Sequence, residues 1–255
     1  MFQIRFNDII FSSNRKKISN SKIVLFFYGL GCSSTDLSFL LKQTTKDTQI
    51  LIAELPGHNN LTFSQIDILS YSRTIYVFLK KNRIKEITFF AHSIGGIIPI
   101  ILVKNFIKKK ILIKNFFNYE GNLILQDTEM LTKKTISYNK TEFIKKKFNK
   151  LILKCKNSNS IFLKLWSISL IKTSPNAFYD LSKQCVELSR SNELIKFFKT
   201  FFKNKVYIRG EYTKNNISEH LFGSMRYTIK KSGHFAFYEN KHQFLRTFNQ
   251  LILKK

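Results

Sequence analysis

Three cysteines, three prolines and nine glycines in 255 residues exclude several kinds of protein at once. Cys32, Cys155 and Cys185 are odd in number and show no C-x-x-C spacing, so no disulfide framework is expected and a reducing, cytoplasmic setting fits. Proline and glycine are too rare for a flexible linker, and no repeat with a period of 20–50 residues is visible. No run approaches the roughly 18–20 apolar residues of a membrane span. The longest, "IGGIIPIILV", stops at Lys104. The start, "MFQIRFNDII", carries Arg5 and Asp8 without a small-residue cleavage site and does not read as a signal peptide. Carboxylates are also scarce, 16 against 43 basic residues. With no H-x-x-x-H, H-E-x-x-H or Cys/His cluster, neither a metal nor another cofactor is expected.

That imbalance gives a formal charge of +27, which invites a nucleic-acid reading. Two features oppose it. Lysine supplies 35 of the basic residues and arginine only 8, whereas phosphate and base recognition favour the arginine fork. The lysines are also spread along the whole chain together with abundant Ile, Asn and Phe, the set that AT-rich codon usage enriches. No nucleic-acid partner is expected, although so basic a surface attracts acidic partners at low salt.

Apolar, β-branched or aromatic runs recur as "KIVLFFYG", "QILIAELPG", "EITFFAHS", "NFFNYEG", "KVYIRGE" and "RYTIKKSGH". Helically spaced text such as "SYSRTIYVFLKKN" and "GGIIPIILVKNFIKKK" lies between most of them. Continuous hydrophobic strands alternating with helices predict an α/β protein with a mostly parallel sheet covered on both faces. "FQIRFNDIIFSS" predicts an antiparallel edge hairpin. The rhythm breaks between Asn122 and Phe202, where the text is Lys-rich and helical without a strand. We therefore expect a core of residues 1–121 and 203–255 with a helical cap, 122–202, laid over the strand ends.

The centre of the chain carries Ala91-His92-Ser93-Ile94-Gly95-Gly96, with the strand "ITFFA" before it and a helix after it. That is the strand-turn-helix context of a G-x-S-x-G turn, in which small neighbours let the backbone lift a nucleophilic serine out of the sheet. Ala91 replaces the first glycine. Such a serine needs a base and oxyanion donors, and the backbone N–H of Ile94 is the first donor.

Other segments fall in the order of a known superfamily. "VLFFYGLGCSS" resembles the oxyanion loop of the α/β hydrolases, with Tyr28 where a histidine is common. "ILIAELPGHNN" is similar to their Asp-x-Pro-Gly-His-Gly turn, with Glu54 and Asn59 replacing acid and glycine. "KKSGHFAFYEN" resembles the segment that carries their catalytic histidine, and the match runs from about residue 20 to 250. The resemblance implies an α/β-hydrolase fold, His234 as general base and Leu30 as second oxyanion donor. His58, His92, His220 and His242 are the weaker histidines.

For the acid the resemblance implies an Asp after the penultimate strand, but Thr213 stands there and carries no charge for an imidazolium. Glu120, at the end of "NFFNYEG", ranks first, followed by Glu211 and Asp127. The expected activity is hydrolysis of a carboxylic ester or thioester with a hydrophobic acyl group through an acyl-enzyme on Ser93. Tyr28, Trp166, Phe162 and Phe178 are expected to contact that substrate. An acidic carrier protein is a candidate partner on charge alone. Acyl transfer or peptidase chemistry on the same fold, and a non-catalytic binding protein, are the alternatives.

Overall fold

The computed structural model describes residues 1–19, 22–43, 47–107, 110–214, 221 and 225–253; His220 lies outside them. Eight strands form one sheet: β1 (Phe2–Phe6), β2 (Ile9–Ser13), β3 (Lys22–Phe27), β4 (Thr48–Ala53), β5 (Glu86–His92), β6 (Leu112–Tyr119), β7 (Lys205–Gly210) and β8 (Met225–Ile229). Their spatial order is β1-β2-β4-β3-β5-β6-β7-β8. The expected edge hairpin is β1–β2, and β2 joins the sheet by an antiparallel pairing with β4. The pairings from β4 through β8 are all parallel. The chain runs outward from β3 to β4, then returns to the other side of β3 as β5. A crevice opens at such a reversal beyond the carboxyl ends of the strands, where doubly wound sheets bind ligands.

Phenylalanine fills both faces of the sheet because alternate strand residues point opposite ways. Phe26 stacks on its cross-strand neighbour Phe90 with centroids 4.9 Å apart, and Phe90 packs against Phe248 of the C-terminal helix Lys241–Leu253. On the opposite face Phe89 meets Phe116 edge-on at 6.3 Å, and Phe116 reaches Phe198 and Phe202. The helix Ile68–Lys81 covers this second face through Tyr71, whose ring meets that of Phe27. It starts where the Asp67 carboxylate accepts the Ser70 N–H at 2.6 Å, and Lys80 and Lys81 complement its negative end.

Among the described residues no strand lies between β6 and β7; helices fill the interval. Those from Thr132 to Ser189 lie over the loops that follow β3 and β4. Ser174 N–H donates to the Gly57 carbonyl at 2.8 Å, Asn60 N–H to that of Lys172 at 2.8 Å, and Trp166 Nε1 to that of Leu30 at 3.3 Å. Glu193–Phe201 behaves differently. Its Phe198 packs on Phe116 of β6, so this helix flanks the sheet rather than roofing it. A boundary at residue 202 therefore assigns one sheet-flanking helix to the insertion. The reason is that apolar spacing gives a helix's buried face and not the element it faces.

The turn after β5 is wedged against β3. A Cβ on Gly95 would lie 2.4 Å from the Phe27 carbonyl oxygen, so no side chain fits there. We predict that Gly95→Ala lowers the unfolding free energy by about 2 kcal/mol or more through overpacking, as measured by urea denaturation. A loss within experimental error would mean that this contact is not tight.

Candidate active site

Ser93 follows the last residue of β5 and has φ +55°, a left-handed conformation that costs a non-glycine residue about 1–2 kcal/mol. Strand, serine and helix thus fold back on themselves within three residues, leaving the serine side chain partly exposed above a buried strand. The helical turn Ser93–Gly96 begins at the serine. The first N–H groups of a helix have no partner within it, which leaves the Ile94 N–H available as a donor. Asn122 N–H holds the Ser93 carbonyl at 3.1 Å.

His234 sits in the loop after β8, 141 residues beyond Ser93, and parallel pairing of β5, β6, β7 and β8 brings it back to the same edge. Its Nδ1 lies 2.7 Å from Glu120 Oε2. Glu120 is buried at the end of β6 with φ +43°, and its Oε1 accepts the Gly210 N–H at 2.7 Å. A carboxylate oxygen accepts, so the Nδ1–H of His234 is the donor in this contact. Among the described residues Ser93 Oγ makes no hydrogen bond to His234, and such contacts are often long before substrate binds.

Among the described residues neither of the other two acids hydrogen-bonds to His234, although Asp127 lies near enough to feel both Glu120 and His234. Glu211 is exposed, and its carboxylate accepts the Lys231 N–H at 2.8 Å in the turn after β8. Asp127 caps the turn Leu125–Thr128, accepting the Leu123 and Ile124 N–H groups at 2.8 and 3.1 Å. Burial pushes its carboxyl up to about 6, with those hydrogen bonds opposing. Thr213 Oγ1 does lie beside the histidine loop, 3.8 Å from where a Cβ on Gly233 would stand.

Three groups that the motifs did not single out fix the histidine loop. Buried His92 lies 2.9 Å from the His234 carbonyl oxygen through Nε2, so that nitrogen donates. Burial, with His234 beside it, holds His92 well below the ordinary histidine range, and the ring stays neutral. The Tyr119 hydroxyl donates to the Gly233 carbonyl and accepts the Ala236 N–H at 3.0 Å. Glu239 Oε2 accepts the Gly233 and Phe235 N–H groups at 2.7 and 3.2 Å. Each neighbours a motif residue in the text, but its partner is named only by the tertiary fold.

Beneath the loop that follows β3 lies a second buried carboxylate, Glu54. It accepts the hydroxyls of Tyr28 and Ser34, and Asn59 Nδ2 at 2.9 Å. Asn59 has φ +53°, the conformation glycine would take in this turn. Tyr28 has no exposed surface, and its oxygen also receives the Leu55 N–H at 2.8 Å. It therefore underpins the loop and does not line the crevice. Its phenol meets an acceptor that the sequence left 26 residues away. Phe178 is likewise fully buried, stacked on Phe143 inside the helical insertion. Trp166 and Phe162 both pack on Phe235, whose ring meets that of His234 at 5.2 Å.

His58 links the two loops. Its Nδ1 lies 2.9 Å from the Pro56 carbonyl, and its Nε2 accepts the Gly31 N–H at 2.9 Å. One donor and one acceptor define a neutral imidazole, and full burial lowers its pKa to about 4. Among the described residues no group of three or more His, Cys, Asp or Glu could hold a metal ion. No helix among them is long and apolar enough to cross a membrane.

An eight-stranded, mostly parallel sheet with a serine in a strained turn after its fifth strand is the architecture of the α/β hydrolases. Solved structures agree. A bromoperoxidase from Bacillus anthracis matches with TM-score 0.74 and 13% identity over 96% of this chain and 95% of that one. MenH from S. aureus matches with TM-score 0.72 and 15% identity over 95% and 97%. A carboxylesterase structure from the thaumarchaeon Nitrososphaera gargenis matches with TM-score 0.72 and 14% identity over 96% and 95%. At these identities the likeness establishes the fold. Curated protein sequences give no match. The chain belongs to the family described as "Putative serine esterase (DUF676)", whose model matches residues 17–210. The protein is thus a serine hydrolase of the α/β fold.

The buried neutral His58 makes a pH prediction. Its folded pKa lies below the ordinary value, so the unfolded chain binds the extra proton between about pH 4 and 6.5. Its stabilising contribution is complete above 6.5 and is lost as the pH falls toward 4. The stability advantage of wild type over His58→Gln should shrink by about 3 kcal/mol across that window. Denaturation curves at pH 7 and 4 measure it, and a constant difference would mean that His58 is not held neutral.

Proposed function

We propose that the protein hydrolyses a carboxylic ester or thioester with a hydrophobic acyl group through an acyl-enzyme on Ser93. The observation that carries this reading is the 2.7 Å contact of His234 Nδ1 with a buried carboxylate, together with a serine held at φ +55° at the end of the adjacent strand β5. Glu120 fixes the tautomer and stabilises the imidazolium that forms. His234 Nε2 takes the Ser93 hydroxyl proton as Oγ bonds to the acyl carbon. The developing oxyanion is stabilised by the N–H groups of Ile94 and Leu30. The assignment of Leu30 is supported by its neighbour, because the Gly31 N–H is already donated to His58. The proton passes from His234 to the leaving alcohol or thiol, and a water activated by His234 then releases the acid.

The helices from Thr132 to Ser189 act in this reading as a cap. The cluster of Phe162, Trp166 and Phe235 beside His234 supports an apolar wall for the acyl chain. Phe178 supports the cap from within.

A serine-directed fluorophosphonate probe tests the assignment. Wild type should label at Ser93 and Ser93→Ala should not. Glu120→Gln should label about a hundredfold more slowly or worse, with Glu211→Gln near wild type. An unlabelled wild type overturns the reading. Undiminished labelling of Glu120→Gln with loss in Glu211→Gln would transfer the acid to Glu211.

A further inference from the structure

The helix Ile161–Leu170 is apolar on two faces. Its inner face carries Trp166 and Ser169, which bond to the Leu30 carbonyl and to Asp36 and Ser33. Its outer face exposes Ile161, Leu165 and Ile168, and Ile171 follows directly after the helix. The spacing i, i+4, i+7 puts the first three on one stripe. Ile161 is 69% exposed and Ile168 56%, values ordinarily found for lysines rather than for aliphatic residues. Leu153 on the preceding helix is 56% exposed, so five of the thirteen exposed large hydrophobics among the described residues fall within residues 153–171. The stripe borders an open cleft of ≈ 290 Å³, which Leu165 and Ile168 line together with Phe39, Phe237 and Lys241.

Charge along this stretch of chain has one sign. From Phe143 to Tyr179 the chain holds eight lysines and not one Asp or Glu. Lys147 is drawn back to Glu142 at 3.0 Å, whereas Lys154, Lys156 and Lys164 stand exposed beside the apolar residues. Across the cleft Lys241 adds a further cation, its ammonium 4.5 Å from the Phe39 ring centroid. The carboxylate at the cleft, Asp36, faces inward and accepts the Ser169 hydroxyl at 2.7 Å.

We propose that this face docks on an anionic lipid surface. The aliphatic stripe would enter the boundary between headgroups and acyl chains while the lysines, whose stems lie along apolar surface, meet acidic headgroups. Neither signal suffices alone, since a short aliphatic stripe binds weakly and a basic patch is screened by salt; together they add. Two other occupants fit the face less well. A second copy related by two-fold symmetry would set lysines against lysines. A protein partner would call for the Tyr, Trp, Met and Arg of interface cores, whereas Lys, which such cores exclude, dominates here. The inner face of the same helix holds the oxyanion loop, so docking would set that loop one helix diameter from the lipid. The proposal does not depend on Ser93 being a nucleophile.

Co-sedimentation of the full chain with phosphatidylcholine vesicles, with and without phosphatidylglycerol, tests it. Wild type and Ser93→Ala should bind the doped vesicles equally, and more salt should weaken binding. Binding should fall at least about tenfold when Ile161, Leu165 and Ile168 are all changed to Ser, and when Lys154, Lys156 and Lys164 are all changed to Glu. Leu69→Ser with Val77→Ser, exposed apolar positions on another helix, should bind as wild type, and thermal melts confirm that each variant is folded. Equal partition to neutral and doped vesicles overturns the proposal, as does binding that survives both triple changes. A concentration-dependent dimer that the Ser triple abolishes, without vesicle binding, would assign the face to a second copy and likewise overturn it.

Discussion

One buried carboxylate ties the strand ends to the histidine loop. Glu120 lies at the end of β6, with its N–H on the Ile208 carbonyl of β7, one oxygen on Gly210 N–H and the other on His234 Nδ1. A charge taken out of water is costly unless each lone pair finds a donor. Here two donors from different segments meet it, and both lie in chain that follows the helical insertion. Removing the carboxylate would leave an imidazole without orientation and a strand end without its acceptor.

The surrounding structure holds strained backbone at this place by close packing. Ser93 and Glu120 both occupy left-handed backbone without being glycine, which persists only where neighbours over-determine it. Gly95 lets the serine turn press against the end of β3. His92, Tyr119 and Glu239 clamp the histidine loop from three sides. A second buried carboxylate, Glu54, does for the loop after β3 what Glu120 does for the loop after β8. Both candidate oxyanion donors therefore sit on backbone that is anchored from below. Preorganised dipoles of this kind are what stabilise a developing charge without moving.

Much of this was legible in the residues because it is encoded locally. The strand-turn-helix pattern around Ser93, the apolar strand ending in Glu120 and the segment around His234 each read in a short window. The alternation of strands and helices gave the parallel sheet and its edge hairpin. What escaped depends on which segments become neighbours. Tyr28 and Phe178 are expected to touch substrate and residues 193–201 to belong to the cap, yet these side chains pack into the interior and onto the sheet, because periodicity does not say against what a side chain packs. His92 looked like a flanking residue because its partner is a carbonyl 142 positions away. The late loop offers Glu211, whose carboxylate accepts the Lys231 N–H in the turn after β8, a contact that its place in the chain does not reveal.

The central claim, that Glu120 orients His234, is tested most directly by proton NMR of the imidazole Nδ1–H. A far-downfield resonance assigned to His234 should be present in wild type, Ser93→Ala and Glu211→Gln, and absent from Glu120→Gln and His234→Asn. Its survival in Glu120→Gln, or its loss in Glu211→Gln, would contradict the account.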